Sequence, residues 1–158
     1  EAIPYMLKND GGNILNFSPP FSNGKELAFN LSDLKGKTAY LISKFGMTLG
    51  AMGIAEEFRG KGISSNTLWP LRPVESYALI NHKLGEKKHW RKPTIISDCV
   101  LKILEEDKNT FTGHQLIDEI YLRSKGVTDF GIYNCVPGSR PPKLNDVQEM
   151  WDAGKAKL

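Results

Sequence analysis

The sequence predicts an α/β fold with three parallel strands flanked by helices, and three observations predict it. A long stretch at residues 38–62, TAYLISKFGMTLGAMGIAEEFRGKG, carries Leu41, Ile42, Phe45, Leu49, Met52 and Phe58 at three- and four-residue steps. That is helical periodicity, and Gly60 and Gly62 supply a helix stop. On either side lie short apolar segments, Asn13-Ile14-Leu15-Asn16-Phe17-Ser18 before it and residues 63–69 after it. A second helical pattern then precedes a third such segment, around residues 111–117. Strands joined through helices imply parallel pairing.

In chain order, residues 1–9 read as the end of a helix, with Ile3, Met6 and Leu7 as its apolar stripe and Lys8 in its last turn. Asn9-Asp10-Gly11-Gly12 breaks it, and Pro19-Pro20 stops the first strand. Residues 21–37 turn loop-like and lead into the long helix. The second strand, from Ile63 to Trp69, ends at Pro70. Residues 70–92 read as irregular and hold a basic aromatic cluster, Lys87, Lys88, His89, Trp90, Arg91 and Lys92. Pro93 opens the second helix, whose expected apolar face is Ile95, Ile96, Val100, Leu101 and Leu104. The third strand carries Thr112-Gly113 at its start and Asp118 at its end. From Tyr121 onward the chain reads as a tail on the surface, with a helical turn around Val147 to Trp151.

At 158 residues, 40% of them hydrophobic and 25% charged, the chain suits one domain with a real core. No apolar run reaches the length of a membrane span. A net charge of +3 is too small to argue for nucleic acid, even with the basic cluster. Cys99 and Cys135 are far apart and lack metal-ligand spacing, so both are expected as thiols and no metal site is expected. The opening residues carry neither the basic start nor the apolar stretch of a secretory leader.

The candidate chemistry lies on the long helix. Tyr40 and Lys44 stand four apart, so their side chains lie one turn from each other on one face. A phenol is a poor acid or base at neutral pH, and a neighbouring ammonium favours its phenolate. In isolation, Tyr-x-x-x-Lys more often marks a surface tyrosine beside a solvated lysine. The surroundings decide its meaning.

Those surroundings follow an order: a strand ending in Ser18, a helix with Tyr40 and Lys44, a strand with Asn66 and Pro70, a helix, then Thr112-Gly113, a strand and Asp118. The order resembles the C-terminal half of the short-chain dehydrogenase/reductase family, over residues 1–142. The wording ILNFSPP, AYLISKFGM, GIAEEFRG and NTLWP resembles its hydroxysteroid dehydrogenase-like branch. The resemblance implies the C-terminal half of a Rossmann-type, doubly wound parallel sheet over residues 1–120, with 121–158 as an irregular surface tail. It also implies an NAD- or NADP-dependent oxidoreductase acting on a small carbonyl or alcohol, including lipid-like ones. Tyr40 would be its general acid/base. Lys44 would assist it and hold the nicotinamide ribose, and Ser18 would stand for the catalytic serine. Asn66, Pro70, Val74 and Ser76, together with Tyr40 and Lys44, would line the cofactor, and residues 87–92 would fall in the substrate lid. Gly46, Gly50 and Gly53 on the Tyr40 helix would permit close packing against a second copy, giving a homo-oligomer.

Some residues depart from the family pattern. The serine usually takes the second position of its pair, where Pro19 stands here, so Ser18 substitutes from a shifted strand end or Ser22 reaches back. Leu71 replaces the glycine that commonly follows the proline. The chain shows no glycine-rich phosphate-binding turn, so the nucleotide-binding half is expected to be missing and NAD(P) binding by these residues alone weak or absent. Two function classes follow: an oxidoreductase of which this is one half, or a non-catalytic interaction remnant. Tyr40, Lys44 and Asn66 favour the first; Pro19 favours the second. Ala156-Lys157-Leu158 is a conservative variant of the peroxisomal Ser-Lys-Leu address. It makes peroxisomal residence the expectation, with the cytoplasm or mitochondrion as alternatives.

Overall fold

A computed structural model describes residues 1–21 and 35–139. Ser22, the turn around Val147 to Trp151, and Ala156-Lys157-Leu158 lie outside the described residues. The elements run α1 (Ala2–Lys8), β1 (Gly12–Asn16), α2 (Thr38–Glu57), β2 (Ile63–Trp69), α3 (Tyr77–Asn81), α4 (Thr94–Leu104), β3 (Gln115–Ile117) and α5 (Asp118–Ser124). Single 3-10 turns sit at Lys87–His89 and Gly131–Tyr133.

The three strands form one sheet in the order β1-β2-β3, and both pairings are parallel. The expected α/β class is borne out. Register runs Gly12 against Ile63 through Asn16 against Thr67, then Thr67 against Gln115 through Trp69 against Ile117. β2 is the central strand, and every residue from Ile63 to Leu68 is buried. Burial on both sides is expected of a parallel sheet covered by helices. Part of its polar equipment is joined to neighbouring segments, while Ser65 Oγ and Thr67 Oγ1 are buried with no partner among the described residues. Ser64 Oγ donates to Asn13 Oδ1 at 2.5 Å, and Ser65 N donates to Thr112 Oγ1 at 3.0 Å.

α2 lies against β1 and β2. Its fully buried positions are small, Thr48, Ala51 and Ala55, which lets the helix approach the sheet closely. Phe45, Met52 and Phe58 share this inner stripe and are half-buried, whereas Ile42 and Leu49, expected on it, are exposed at 67% and 65%. Their spacing was compatible with either face, and the small residues decided which one turned inward.

The main core gathers on Leu68 of β2: Ile95, Cys99 and Ile103 of α4, Tyr121 and Leu122 of α5, then Phe130 and Tyr133. Two expectations are corrected here. The inner stripe of α4 is Ile95–Cys99–Ile103, at four-residue steps, while Leu101 and Leu104 are exposed. The chain from Tyr121 to Ser139 is not a surface tail, because Tyr121, Leu122, Phe130 and Tyr133 are core residues. Their phenols are satisfied at the edge of the core. Tyr121 donates to Glu106 Oε1 at 2.9 Å and Tyr133 to Asp98 Oδ2 at 2.6 Å. Residues 70–92, read as irregular, hold the short helix α3, which Ser76 caps by accepting from Leu79 N.

β1 and β2 begin at a point of close backbone approach. Gly12 N donates to Gly62 O at 2.9 Å, and Gly11 has a φ of +86°. A Cβ on Gly11 would fall 1.8 Å from Gly62 O. Gly11→Ala therefore meets both a disfavoured φ, costing about 1–2 kcal/mol, and a clash with backbone. The substitution is expected to lower the urea midpoint, and the unfolding free energy by more than that φ cost. A midpoint within error of the parent protein would contradict this account of the strand start.

Candidate functional site

The candidate site forms where β1 and β2 end. Ligands of open α/β sheets bind at the carboxyl ends of the strands. Lys44, on the inward side of α2, reaches that edge. Its Nζ donates to Phe17 O, just past β1, at 2.9 Å and lies 5.7 Å from the ring centroid of Trp69, the last residue of β2. One cation thus joins two strand ends, and a cation over an indole face is attracted by the ring quadrupole. Tyr40, one turn earlier, is 53% exposed. The sequence pairing therefore becomes an ammonium fixed at the strand ends and an open phenol beside it.

Ser18 does not join them as a free donor. It is fully buried, and its Oγ lies 2.8 Å from Thr48 Oγ1, one turn beyond Lys44. Thr48 Oγ1 also lies 2.7 Å from the Pro19 carbonyl. A carbonyl only accepts, so Thr48 spends its single proton there and the proton of the serine–threonine bond comes from Ser18. Ser18 thereby fastens the strand end to α2.

Asn66 also turns inward. Its Nδ2 donates to Phe111 O at 3.0 Å, and its Oδ1 accepts from His114 N at 2.8 Å. Both ends of the amide clamp the 111–114 turn onto β2, so Asn66 is a sheet residue rather than a cofactor ligand. Pro70 leads the chain off β2, Val74 pairs with Arg91 in an isolated parallel bridge, and Ser76 caps α3. Ser76 accepts in that cap, which leaves its own hydroxyl proton available.

The basic cluster is taken apart by folding. Lys87 pairs with Glu75 and Lys88 with Glu86, each at 2.7 Å, and Lys92 Nζ donates to Ile132 O. Trp90 is buried with its Nε1 donating to Leu84 O, and Arg91 is 1% exposed. What remains outside is a row of paired charges, not a continuous cationic face.

Sequence reasoning missed a buried ionic group beneath the 70–76 segment. Glu119 Oε1 accepts from Arg91 Nη2 at 2.6 Å and lies 3.1 Å from Arg72 Nε. Asp118, fully buried at the start of α5, accepts from Leu71 N at 2.8 Å and from Glu119 N at 2.6 Å. The one available signal was an acidic pair directly after an apolar strand, with no solvent-facing period around it. Burial pushes the Asp118 carboxyl up to about 6, against the two backbone N–H bonds that pull it down. Burial likewise pushes the Cys99 thiol up to about 12, so it is inert packing rather than a nucleophile. Among the described residues no group of His, Cys, Asp and Glu could hold a metal ion, and no helix is long and apolar enough to cross a membrane.

Comparison with known proteins places this geometry. A solved short chain dehydrogenase from Mycobacterium thermoresistibile superposes with a TM-score of 0.72 at 40% identity, over 88% of this chain and 48% of that one. A second solved structure, from Xanthomonas campestris and assigned as a dehydrogenase, also superposes at 0.72, with 29% identity over 87% of this chain and 48% of that one. Hydroxysteroid dehydrogenase-like protein 2 of Danio rerio is 39% identical over 140 residues, 87% of this chain and 31% of its own length. The Homo sapiens protein of the same name is 37% identical over 138 residues, again 87% and 31%. Over 87–88% of its length the chain is thus similar to part of short-chain dehydrogenases. It spans about half the length of those solved structures and about a third of the curated relatives it matches. No family model matches it.

The Asp118 carboxyl sets a pH dependence with a definite sign. A carboxyl raised on folding binds its proton more tightly in the folded chain, so its contribution is full below about pH 4 and is lost as pH rises through about 6. Asp118→Asn keeps an acceptor for Leu71 N and removes the ionisation. Urea denaturation from pH 4 to 7 should show the parent losing stability relative to the variant across that window. A difference that grows in the parent's favour with rising pH would mean the backbone bonds, not burial, dominate.

Proposed function

We propose that the protein containing this segment is an NAD- or NADP-dependent oxidoreductase interconverting a carbonyl and an alcohol, and that this segment supplies its acid/base group. The observation that supports the reading is Lys44, fixed between the ends of β1 and β2, with the open Tyr40 hydroxyl one turn away. Tyr40 gives a proton to the carbonyl oxygen in reduction and takes it back from the alcohol in oxidation. Lys44 spends one of its three N–H donors on Phe17 O and turns the others toward a ribose diol. Residues 70–76 follow directly from the same strand end, where Val74 packs against the core and Ser76 caps α3, and in this reading they wall the nicotinamide end. This donor set fits the nicotinamide ribose, and the described residues offer no glycine-rich turn for the pyrophosphate. A bound nicotinamide supplies or accepts the hydride.

The reading extends to the open face of α2. Ile42 and Leu49 are exposed there, and a Cβ on Gly46, Gly50 or Gly53 would meet nothing within 4 Å. This face suits a second copy of the protein and makes it a homo-oligomer. One observation favours the alternative of a non-catalytic partner-binding protein. The Ser18 proton is committed to Thr48, so the hydroxyl that would assist the substrate oxygen is not free. The two readings separate on the full-length protein, supplied with NAD(P)H and a panel of ketones and aldehydes, including long-chain ones. Turnover is expected, and Tyr40→Phe should reduce kcat by about 10²–10⁴-fold with little change in thermal midpoint, since that side chain is 53% exposed. Undiminished turnover in the variant would remove Tyr40 from the chemistry.

A further inference from the structure

Residues 70–76 border the candidate cofactor edge, yet they belong to no strand or helix. Their position comes from bonds to other segments, and the two backbone bonds at their middle are both made by Arg91. Its backbone N donates to Pro73 O at 2.9 Å, and its carbonyl accepts from Glu75 N at 2.8 Å, so both main-chain groups of Arg91 bracket Val74. On its other side the same stretch pairs with the chain after α5. Arg91 bridges Asn134, Lys92 N donates to Tyr133 O at 2.7 Å, and Cys135 N donates to Trp90 O at 3.2 Å. Residues 73–75, 90–92 and 133–135 therefore make a small irregular ladder with Arg91 in the middle.

The Arg91 side chain anchors that ladder to the core. Its Nε and Nη2 both donate to Glu119 Oε1, at 2.9 and 2.6 Å, and its Nη1 donates to Phe130 O at 2.9 Å and to Asn134 Oδ1. Glu119 in turn sits 3.1 Å from Arg72, inside the 70–76 segment, while neighbouring Asp118 holds Leu71 N. A planar guanidinium can serve a carboxylate and two carbonyl-type acceptors at once; an ammonium cannot reproduce that fork.

We propose that Arg91 is a positioning residue for the cofactor edge: through Glu119 below and the Val74 bridge above, it sets where residues 70–76 stand against the nicotinamide end. This rests on the oxidoreductase reading given above. Arg91 touches no reacting atom. Its role is to turn an irregular segment into a fixed wall, and a displacement of about 1 Å in such a wall can cost about 10²-fold in rate.

The test uses the full-length protein and two kinds of ligand. NADH and NADPH reach the nicotinamide end; ADP-ribose and its 2′-phosphate occupy the nucleotide half but carry no nicotinamide. Arg91→Lys should weaken binding of the dinucleotide that the parent prefers by about tenfold or more, while the matching ADP-ribose stays within about twofold. Amide hydrogen exchange should speed up at Glu75 and Arg91 and stay unchanged at Thr67 in the sheet. Should Arg91→Lys fail to fold, Glu119→Gln removes the same charge pair with its size kept, and the same ratio is read from it. Equal weakening of both ligands, unchanged binding of both, or loss of the fold in both variants would overturn the positioning role. A parent protein that binds ADP-ribose and dinucleotide equally well, with no contribution from nicotinamide, would instead overturn the oxidoreductase reading on which the role rests.

Discussion

The central strand must be buried on both faces although Ser64, Ser65, Asn66 and Thr67 occupy its middle. Buried polar groups are costly unless hydrogen-bonded, and other segments come to meet Ser64 and Asn66, while Ser65 Oγ and Thr67 Oγ1 have no partner among the described residues. Asn13 meets Ser64, Thr112 meets the Ser65 amide, and Phe111 and His114 close on the two ends of Asn66. That demand explains why the turn before β3 lies where it does. It also explains why β1 and β3 align with β2 so that all three end at one edge. A strand of plain valines and leucines would have supplied more apolar burial and less information about register.

The edge so formed is where the chemistry-bearing residues meet. Lys44 comes to it because Thr48, Ala51 and Ala55 let α2 lie close to the sheet. The same close approach buries Ser18 against Thr48, which takes a hydroxyl out of the opening. Packing and reactivity are in tension at this point. The helix position that places an ammonium at the strand ends also commits the serine proton to Thr48, which has its own proton on the Pro19 carbonyl.

Below the edge, the Asp118–Glu119 pair at the start of α5 holds the chain where it leaves β2. There the Leu71 amide is held by Asp118 and the Arg72 guanidinium by Glu119. Removing one partner from such a buried pair typically costs more than the pair contributes, because a charge is left without compensation. The carboxylates and guanidiniums of this group are therefore interdependent.

Periodicity alone located α2, α4 and the central strand, whose bounds, Ile63–Trp69, follow from apolar ends between a glycine and a proline. It also located Tyr40 and Lys44 on one turn, because helical spacing is a local property. The family resemblance added the meaning of that spacing. Local spacing could not decide which residues face inward. Ile42 and Leu49 look like core and are exposed, while Tyr121, Leu122, Phe130 and Tyr133 look like a tail and are core. It could not tell that Ser18 and Asn66 spend their polar groups inside the sheet, or that Arg91, read as one of a basic run, lies at the centre of a buried ladder. The side-chain bonds of Ser18, Asn66 and Arg91 reach partners 28 to 48 positions away, and such pairings exist only once the chain is folded.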